Sequence, residues 1–312
     1  MKKILFTILA AAVTLFAASC NKEAGKTDAD GIVEARFNLG FTGAKTKAPG
    51  DGLSATQLVV GVYDKELGYL DNLSIGPNAA DHKEAFSQHT AEYTVRLVKG
   101  HGYDIVFLAV CPDNGVYTID LEKATLTAAV SGPSNQEVRD AFYAVYSIDR
   151  VTEAIDQAIT LKRPFAQINV ITNKDDFEAA TIAQVTFEKS SLKISAPSVL
   201  NLIDGSVGDA AEYDLSPEAM TETNPNFAPY DTQGDFWLLL DYILAAPEGS
   251  NANVEFSLYA NGNEEALFTH SIPNVPLKQN WRTNIVGDIL TVDGNFIITI
   301  EPAFDGEEVV DF

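Results

Sequence analysis

Residues 33–41 read Val33-Glu34-Ala35-Arg36-Phe37-Asn38-Leu39-Gly40-Phe41. Apolar side chains occupy every second position, and the residues between them are charged, polar or glycine. Successive side chains of an extended chain point to opposite faces, so a period of two specifies a strand with one buried and one wet face. The next stretch, Thr42-Gly43-Ala44-Lys45-Thr46-Lys47-Ala48-Pro49-Gly50-Asp51-Gly52, is rich in backbone breakers and predicts a loop. Exposed loops of small residues are where proteases cut, and this one carries Lys45 and Lys47.

Outward from that pair the pattern stays extended. Strands are predicted at 58–63, 93–98, 103–110 and 116–119, each bounded by Gly, Pro, Asn or Asp, with Gly100-His101-Gly102 as a turn. A helix is predicted over 136–143, because Ser134 and Glu137 have capping-box spacing and Pro133 precedes them. A second block opens near Lys162-Arg163-Pro164. It carries strands at 165–171, 185–187, 191–194, 236–245, 254–259 and 267–272, and a short helical turn at 175–180. Strands at 284–292 and 296–300 flank Asp293-Gly294, a strong hairpin signal. Many short strands separated by turns predict an all-β chain of two tandem β-sandwiches with minor short helices. The expected divisions are a leader at 1–19, a tether plus first strand at 20–48, one sandwich at 49–162 and another at 163–312.

The N-terminus sets the expected compartment. Lys2 and Lys3 precede an apolar run from Ile4 to Ala18, too short for the roughly 20 residues that span a bilayer. Ala17-Ala18-Ser19-Cys20 resembles a bacterial lipobox, with Ala17 where such boxes usually carry Leu. Cys20 is therefore the expected lipid site; the alternative is an ordinary secretory leader with an incidental cysteine. Acyl chains hold a protein on a membrane at about 0.8 kcal/mol per buried methylene, so the mature chain is expected on a membrane and not in it.

Removal of residues 1–19 leaves 19 basic against 44 acidic residues, a net charge of −25. Such a surface repels phosphate backbones and argues against a nucleic-acid partner. Cys111 has no partner once Cys20 is acylated, and it follows the apolar run 105–110, as a buried small hydrophobe does. No disulfide or cysteine–histidine metal cluster is expected.

Residues for catalysis lack a pattern. His82, His89, His101 and His270 show no metal-ligand spacing, and His82 and His89 are expected in exposed loops. There is no nucleophile elbow, phosphate loop or dinucleotide fingerprint. Glu264-Glu265 with Asp241 would be the carboxylate pair of a glycosidase, but neighbouring residues on a strand face opposite ways. Trp237, inside Phe236-Trp237-Leu238-Leu239-Leu240, is expected in the core, whereas Trp281, in a polar loop, keeps an option for stacking on sugars. The expectation is a protein without enzymatic activity, cofactor or metal.

The first strand and its loop form a unit that one cut would release. If the strand left, its sandwich would expose unpaired N–H and C=O groups above an apolar floor. A strand from another subunit would repair both defects through ladder hydrogen bonds and side-chain pockets at every second residue. The other end of the chain offers such a strand, where Phe296, Ile298 and Ile300 alternate with Ile297 and Thr299. The plainer alternative is that both end strands simply complete their own sandwiches.

These features together resemble the fimbrillin-like lipoproteins of Bacteroidales-type bacteria, the subunits of type V pili. The resemblance covers most of the chain. It rests on the lipoprotein start ending at Cys20, the first strand followed by Thr46-Lys47-Ala48, and Leu58-Val59-Val60-Gly61-Val62-Tyr63-Asp64. It continues in Leu161-Lys162-Arg163-Pro164-Phe165-Ala166-Gln167-Ile168-Asn169-Val170 and in Asn280-Trp281-Arg282-Thr283-Asn284-Ile285-Val286-Gly287-Asp288-Ile289-Leu290. The resemblance implies two transthyretin-like sandwiches, export to the outer membrane with a lipid on Cys20, and cleavage by a trypsin-like surface protease at the Lys45/Lys47 loop. It further implies assembly with other pilus subunits by strand exchange, in adhesion. Better-known members are cut after Arg, whereas this loop offers only Lys and Arg36 lies inside the strand. A lipid-anchored, glycan-binding surface protein is the alternative function.

Overall fold

The alternation at 33–41 forms β1 (Ile32–Phe41) in the computed structural model, which describes residues 31–41, 50–183, 187–219, 236–260, 262–291 and 296–302. Cys20, Lys45 and Lys47 lie outside the described residues. Next come β2 (Gln57–Asp64), β3 (Gly68–Tyr69), β4 (Thr90–Val98), β5 (Tyr103–Val110), β6 (Tyr117–Asp120) and β7 (Thr125–Ala128). β8 (Ser131–Pro133), β9 (Phe142–Ile148), β10 (Ile155–Leu161) and β11 (Phe165–Thr172) lead to the one α-helix described, α1 (Lys174–Ile182). The chain continues through β12 (Lys189–Pro197), β13 (Val199–Asn201), β14 (Ala210–Ala219), β15 (Phe236–Leu244) and β16 (Ser250–Tyr259). β17 (Ala266–Leu277), β18 (Trp281–Gly287) and β19 (Phe296–Pro302) complete it. The fold is all-β.

Four sheets pair into two sandwiches. The sheet β10-β1-β4 packs on β3-β2-β5-β9 around Phe37, Leu39, Leu58, Val62, Leu97 and Phe107. The sheet β15-β11-β18-β19 packs on β17-β16-β12-β14-β8 around Ile168, Val170, Leu192, Phe256 and Ile285. A third core lies between the sandwiches, where Val59, Val106 and Leu108 meet Phe165, Ile171, Leu240 and Leu244. β2, β11 and nearly all of β5 and β15 are therefore covered on both faces, which is why they read as continuous apolar runs and not as alternations. Strands also cross between the two halves of the chain. β8 adds to β14 in parallel, and β13 pairs with β7, which lies beside β6.

Three expectations change. The helix expected over 136–143 is a single 3-10 turn, Glu137–Arg139, and β9 starts at Phe142. Ser134 does not cap it; its hydroxyl donates to the Ser190 carbonyl, while Arg139 and Asp140 are drawn into a buried polar junction. Local capping preference loses there to tertiary contacts. Of the strand expected at 185–187, only Phe187 is described, and it lies in the link before β12 with its ring edge-on to Phe177 of α1. β18 ends at Gly287, short of the expected 292, because the chain turns so that Leu290 and Thr291 donate their N–H groups to the buried Asp176 carboxylate at 2.7 and 3.0 Å. β18 and β19 do pair antiparallel, but Asp293-Gly294 lies outside the described residues. β3, β7, β8, β10, β13 and β14 have no expected counterpart.

Candidate functional site

β1 is the middle strand of its sheet. One edge pairs in parallel with β10, from Ala35 opposite Ile155 to Phe41 opposite Leu161. The other pairs antiparallel with β4, from Ile32 opposite Val98 to Gly40 opposite Thr90. Its inward row is almost sealed, with Val33 1%, Ala35 0%, Phe37 0%, Leu39 2% and Phe41 7% exposed. Glu34, Arg36 and Asn38 face water. The slot that β1 fills thus has two backbone walls and an apolar floor.

Two aromatic clusters line it. Phe37 lies 5.2 Å from the rings of both Phe107 and Tyr146, and beside Tyr93 on β4. Phe41 closes the far end: it stacks on Phe142 at 3.9 Å and touches Phe86 and His89 at 5.2 and 5.0 Å. Gly52 seals this corner. A Cβ there would sit 2.9 Å from the rings of Phe41 and Phe142, and its φ of +75° is one L side chains avoid. The stem that follows the Lys45/Lys47 segment therefore packs back against the end of β1.

Behind Phe142 the floor is ionic. Arg163 lies 4.3 Å from the Phe142 ring, and its guanidinium donates to both Asp140 carboxylate oxygens at 2.6 and 2.7 Å and to the Gly50 carbonyl at 2.6 Å. Gly50 N–H donates to Glu137, as does the Tyr242 hydroxyl of β15. Asp241 is buried beside Arg139 at 3.5 Å and accepts from the N–H of Asn135. These contacts tie the stem after the loop to the seam between the sandwiches.

Burial, helped by the negative charge of Asp140, pushes the Glu137 carboxyl up to about 8. Burial likewise pushes Asp241 up to about 6. An unfolded Glu titrates near about 4.3, so the folded chain holds the extra proton in between. The stability contributed by that proton is fully present below the unfolded value and is lost as pH rises through the folded one. Urea midpoints of the wild type are expected to fall between pH 6 and 8, above the Asp241 transition. Glu137→Gln should flatten that segment; an unchanged slope would assign it to another group.

The slot brings together Val33, Ala35, Phe37, Leu39 and Phe41, as the period of two implies. It does not include β19, which among the described residues is the edge strand of the other sandwich, paired to β18 alone. Ile298 and Ile300 are half-buried there, and Ile297 is 71% exposed. The residues that sequence reasoning missed are the wall β10 and the corner of Phe86, His89, Phe142 and Arg163. Phe142 was hidden inside an apparent helix, and a basic junction gives no sign of its buried partner.

The other candidates separate. Trp237 is in the core between the sandwiches. Trp281 is not in a loop but begins β18, half-buried, with the Lys278 ammonium 4.4 Å above its ring. Asp241 is fully buried while Glu264 and Glu265 are exposed, so they make no carboxylate pair. His82 and His89 are half-buried, His101 lies 2.6 Å from Asp64, and His270 contacts the Ile289 carbonyl. Cys111 is half-buried, and burial raises its thiol. Among the described residues no group of three or more His, Cys, Asp or Glu is placed to hold a metal, and no helix is long and apolar enough to cross a membrane.

The profile of DUF6562, a family of unknown function, matches residues 36–311. No curated protein matches the chain. Similar solved structures include a fimbrial assembly protein from Parabacteroides distasonis, 14% identical, covering 89% of this chain and 97% of that one at a TM-score of 0.45. Another is the fimbrial anchor protein Mfa2 from Porphyromonas gingivalis, 12% identical, covering 86% and 96% at 0.41. A third is the tip fimbrial protein Mfa3 from Porphyromonas gingivalis, 12% identical, covering 90% and 100% at 0.42.

Proposed function

The chain belongs to DUF6562, a family of unknown function, and we propose that it is the precursor of a structural subunit of a cell-surface fimbria. In this scheme the chain is held on the outer membrane through Cys20, a trypsin-like protease cuts at Lys45 or Lys47, and β1 is replaced by a strand from a neighbouring subunit. The observation that supports it is the position of β1: a central strand whose inward row is almost sealed, followed in the sequence by the breaker-rich stretch that carries Lys45 and Lys47.

The magnitudes dictate how such an exchange proceeds. Each large side chain of β1 contributes about 1.5–3 kcal/mol by burial, so Val33, Phe37, Leu39 and Phe41 together contribute on the order of 10 kcal/mol. That matches the roughly 5–15 kcal/mol that holds a whole domain together. A sandwich with an empty slot would not stay folded. After cleavage β1 remains bound without a covalent link until an incoming strand displaces it, one residue pair at a time.

Limited trypsin treatment of the full chain is expected to cut after Lys45 or Lys47. The cut chain should then form ladders that survive unboiled detergent gels. A chain that stays monomeric after the cut has been verified by N-terminal sequencing would refute the proposal.

A further inference from the structure

The two sandwiches repeat one topology. In the first, β1 lies parallel to β10 and antiparallel to β4, while β2 pairs antiparallel with β3 and β5, and β5 with β9. In the second, β11 lies parallel to β18 and antiparallel to β15, while β12 pairs antiparallel with β14 and β16, and β16 with β17. These seven strands match one for one in chain order, so β10 and β18 hold the same place. Beyond β18 the second sandwich adds β19; beyond β10 the first adds no strand among the described residues. Burial follows the difference. No residue of β18 is exposed, whereas Asp156, Gln157, Ala158 and Thr160 of β10 are, and Ile155 and Ile159 of its inward row are only half-buried.

An open edge offers a row of unpaired N–H and C=O groups, and proteins usually blunt it with Lys, Pro or a bulge. β17, an edge strand of the second sandwich, carries Pro273 and Pro276 and two irregularities in its ladder. β10 has none of these devices: Ile155-Asp156-Gln157-Ala158-Ile159-Thr160-Leu161 contains no Lys, Pro or Gly, and its ladder to β1 is regular. The strand is also complementary to itself. An antiparallel copy centred on Ala158 sets Ile155 against Leu161, Asp156 against Thr160 and Gln157 against Ile159, so no two charges oppose each other. Centring on Asp156 sets two carboxylates face to face, and centring on Gln157 or Ile159 leaves two residues of each strand outside the ladder. Centring between two residues turns the inward row of one copy to the wet face of the other.

We propose that β10 is an interface between two copies of this chain, joined edge to edge about a two-fold axis at Ala158. The two sheets then run on as one, in the order β4-β1-β10-β10-β1-β4. Pairing satisfies the open backbone edge and covers Ile155 and Ile159, which is what β19 does for β18 in the second sandwich. A ladder of one short strand is smaller than the roughly 1,200–2,000 Å² that a stable interface buries, so a single contact is weak and shows at high concentration. It needs neither the cut nor the replacement of β1, and therefore stands apart from the strand-exchange proposal.

The register predicts a specific cross-link in the uncut chain. In a Cys20→Ser, Cys111→Ser background, Ala158→Cys would face its own copy across the axis, within disulfide reach. Mild oxidation is expected to link such chains into dimers about ten-fold faster than Thr160→Cys chains, whose two thiols would lie about 13 Å apart along the strand. Mixing Thr160→Cys with Asp156→Cys chains should restore the fast rate. Sedimentation of the wild type should show a dimer that grows with concentration. Ala158→Lys sets two ammonium groups opposite each other at an exposed position and should weaken that dimer about five-fold. A wild type that stays monomeric up to about 1 mM overturns the proposal. So does a dimer that Ala158→Lys leaves unchanged, or one that Thr160→Cys alone links as fast as Ala158→Cys.

Discussion

Phe37→Ala is expected to destabilise the chain by about 3–5 kcal/mol, because it removes a fully buried ring from the centre of the N-terminal sandwich. The cavity would lie among Phe107, Tyr146 and Tyr93, which are held by both facing sheets and cannot all collapse into it. Chemical denaturation of the uncut chain measures this directly. In the trypsin-cut chain the same substitution should speed release of the β1 fragment, since the fragment is then held only by pairing and packing. Phe37→Leu, which keeps most of the apolar volume, should show both effects at a fraction of the size. A cost below about 1 kcal/mol for Phe37→Ala would mean that the surrounding rings relax into the space.

Asp140→Ala should have a comparable effect for a different reason. Asp140 and Arg163 are each at most 1% exposed, and the Arg163 guanidinium spends two donors on the carboxylate. Burial raises the Asp140 carboxyl although Arg163 opposes the shift, so the pair is no large net source of stability. Removing one partner, however, strands a charge in the interior and typically costs about 3–5 kcal/mol. The double replacement Asp140→Leu with Arg163→Met is expected to recover most of that loss, and denaturation of the three variants forms the test. If the double variant is as unstable as Asp140→Ala, the hydrogen bond from Arg163 to Gly50 is the essential contact, and the stem after the loop depends on it.

Much of the fold was legible locally. The alternation at 33–41 marked a half-buried strand, and the apolar runs at 103–110 and 236–245 marked strands, which only the structure shows to be covered on both faces. Breakers located most turns, and the helical turn near 175–180 grew only to Lys174–Ile182. β10 was not legible, because its Ile155-Asp156-Gln157-Ala158-Ile159-Thr160-Leu161 sequence is an edge strand whose inward positions are only partly covered. The helix over 136–143 failed because its capping pattern was outweighed by burial of Arg139 and Asp140 at the seam between the sandwiches.

By itself the sequence determined that segments with a clear period of two or a long apolar run are extended, and which face of β1 is apolar, because the period of side chains along a strand is a property of neighbouring residues. Only the tertiary structure decided that β1 lies between β10 and β4, that Phe41 rests on Phe142, and that Arg163 reaches both Asp140 and Gly50. Those contacts join residues far apart in the chain, as with Phe37 opposite Gln157. Which edges meet is set by the joint packing of all the sheets, and no local period encodes it.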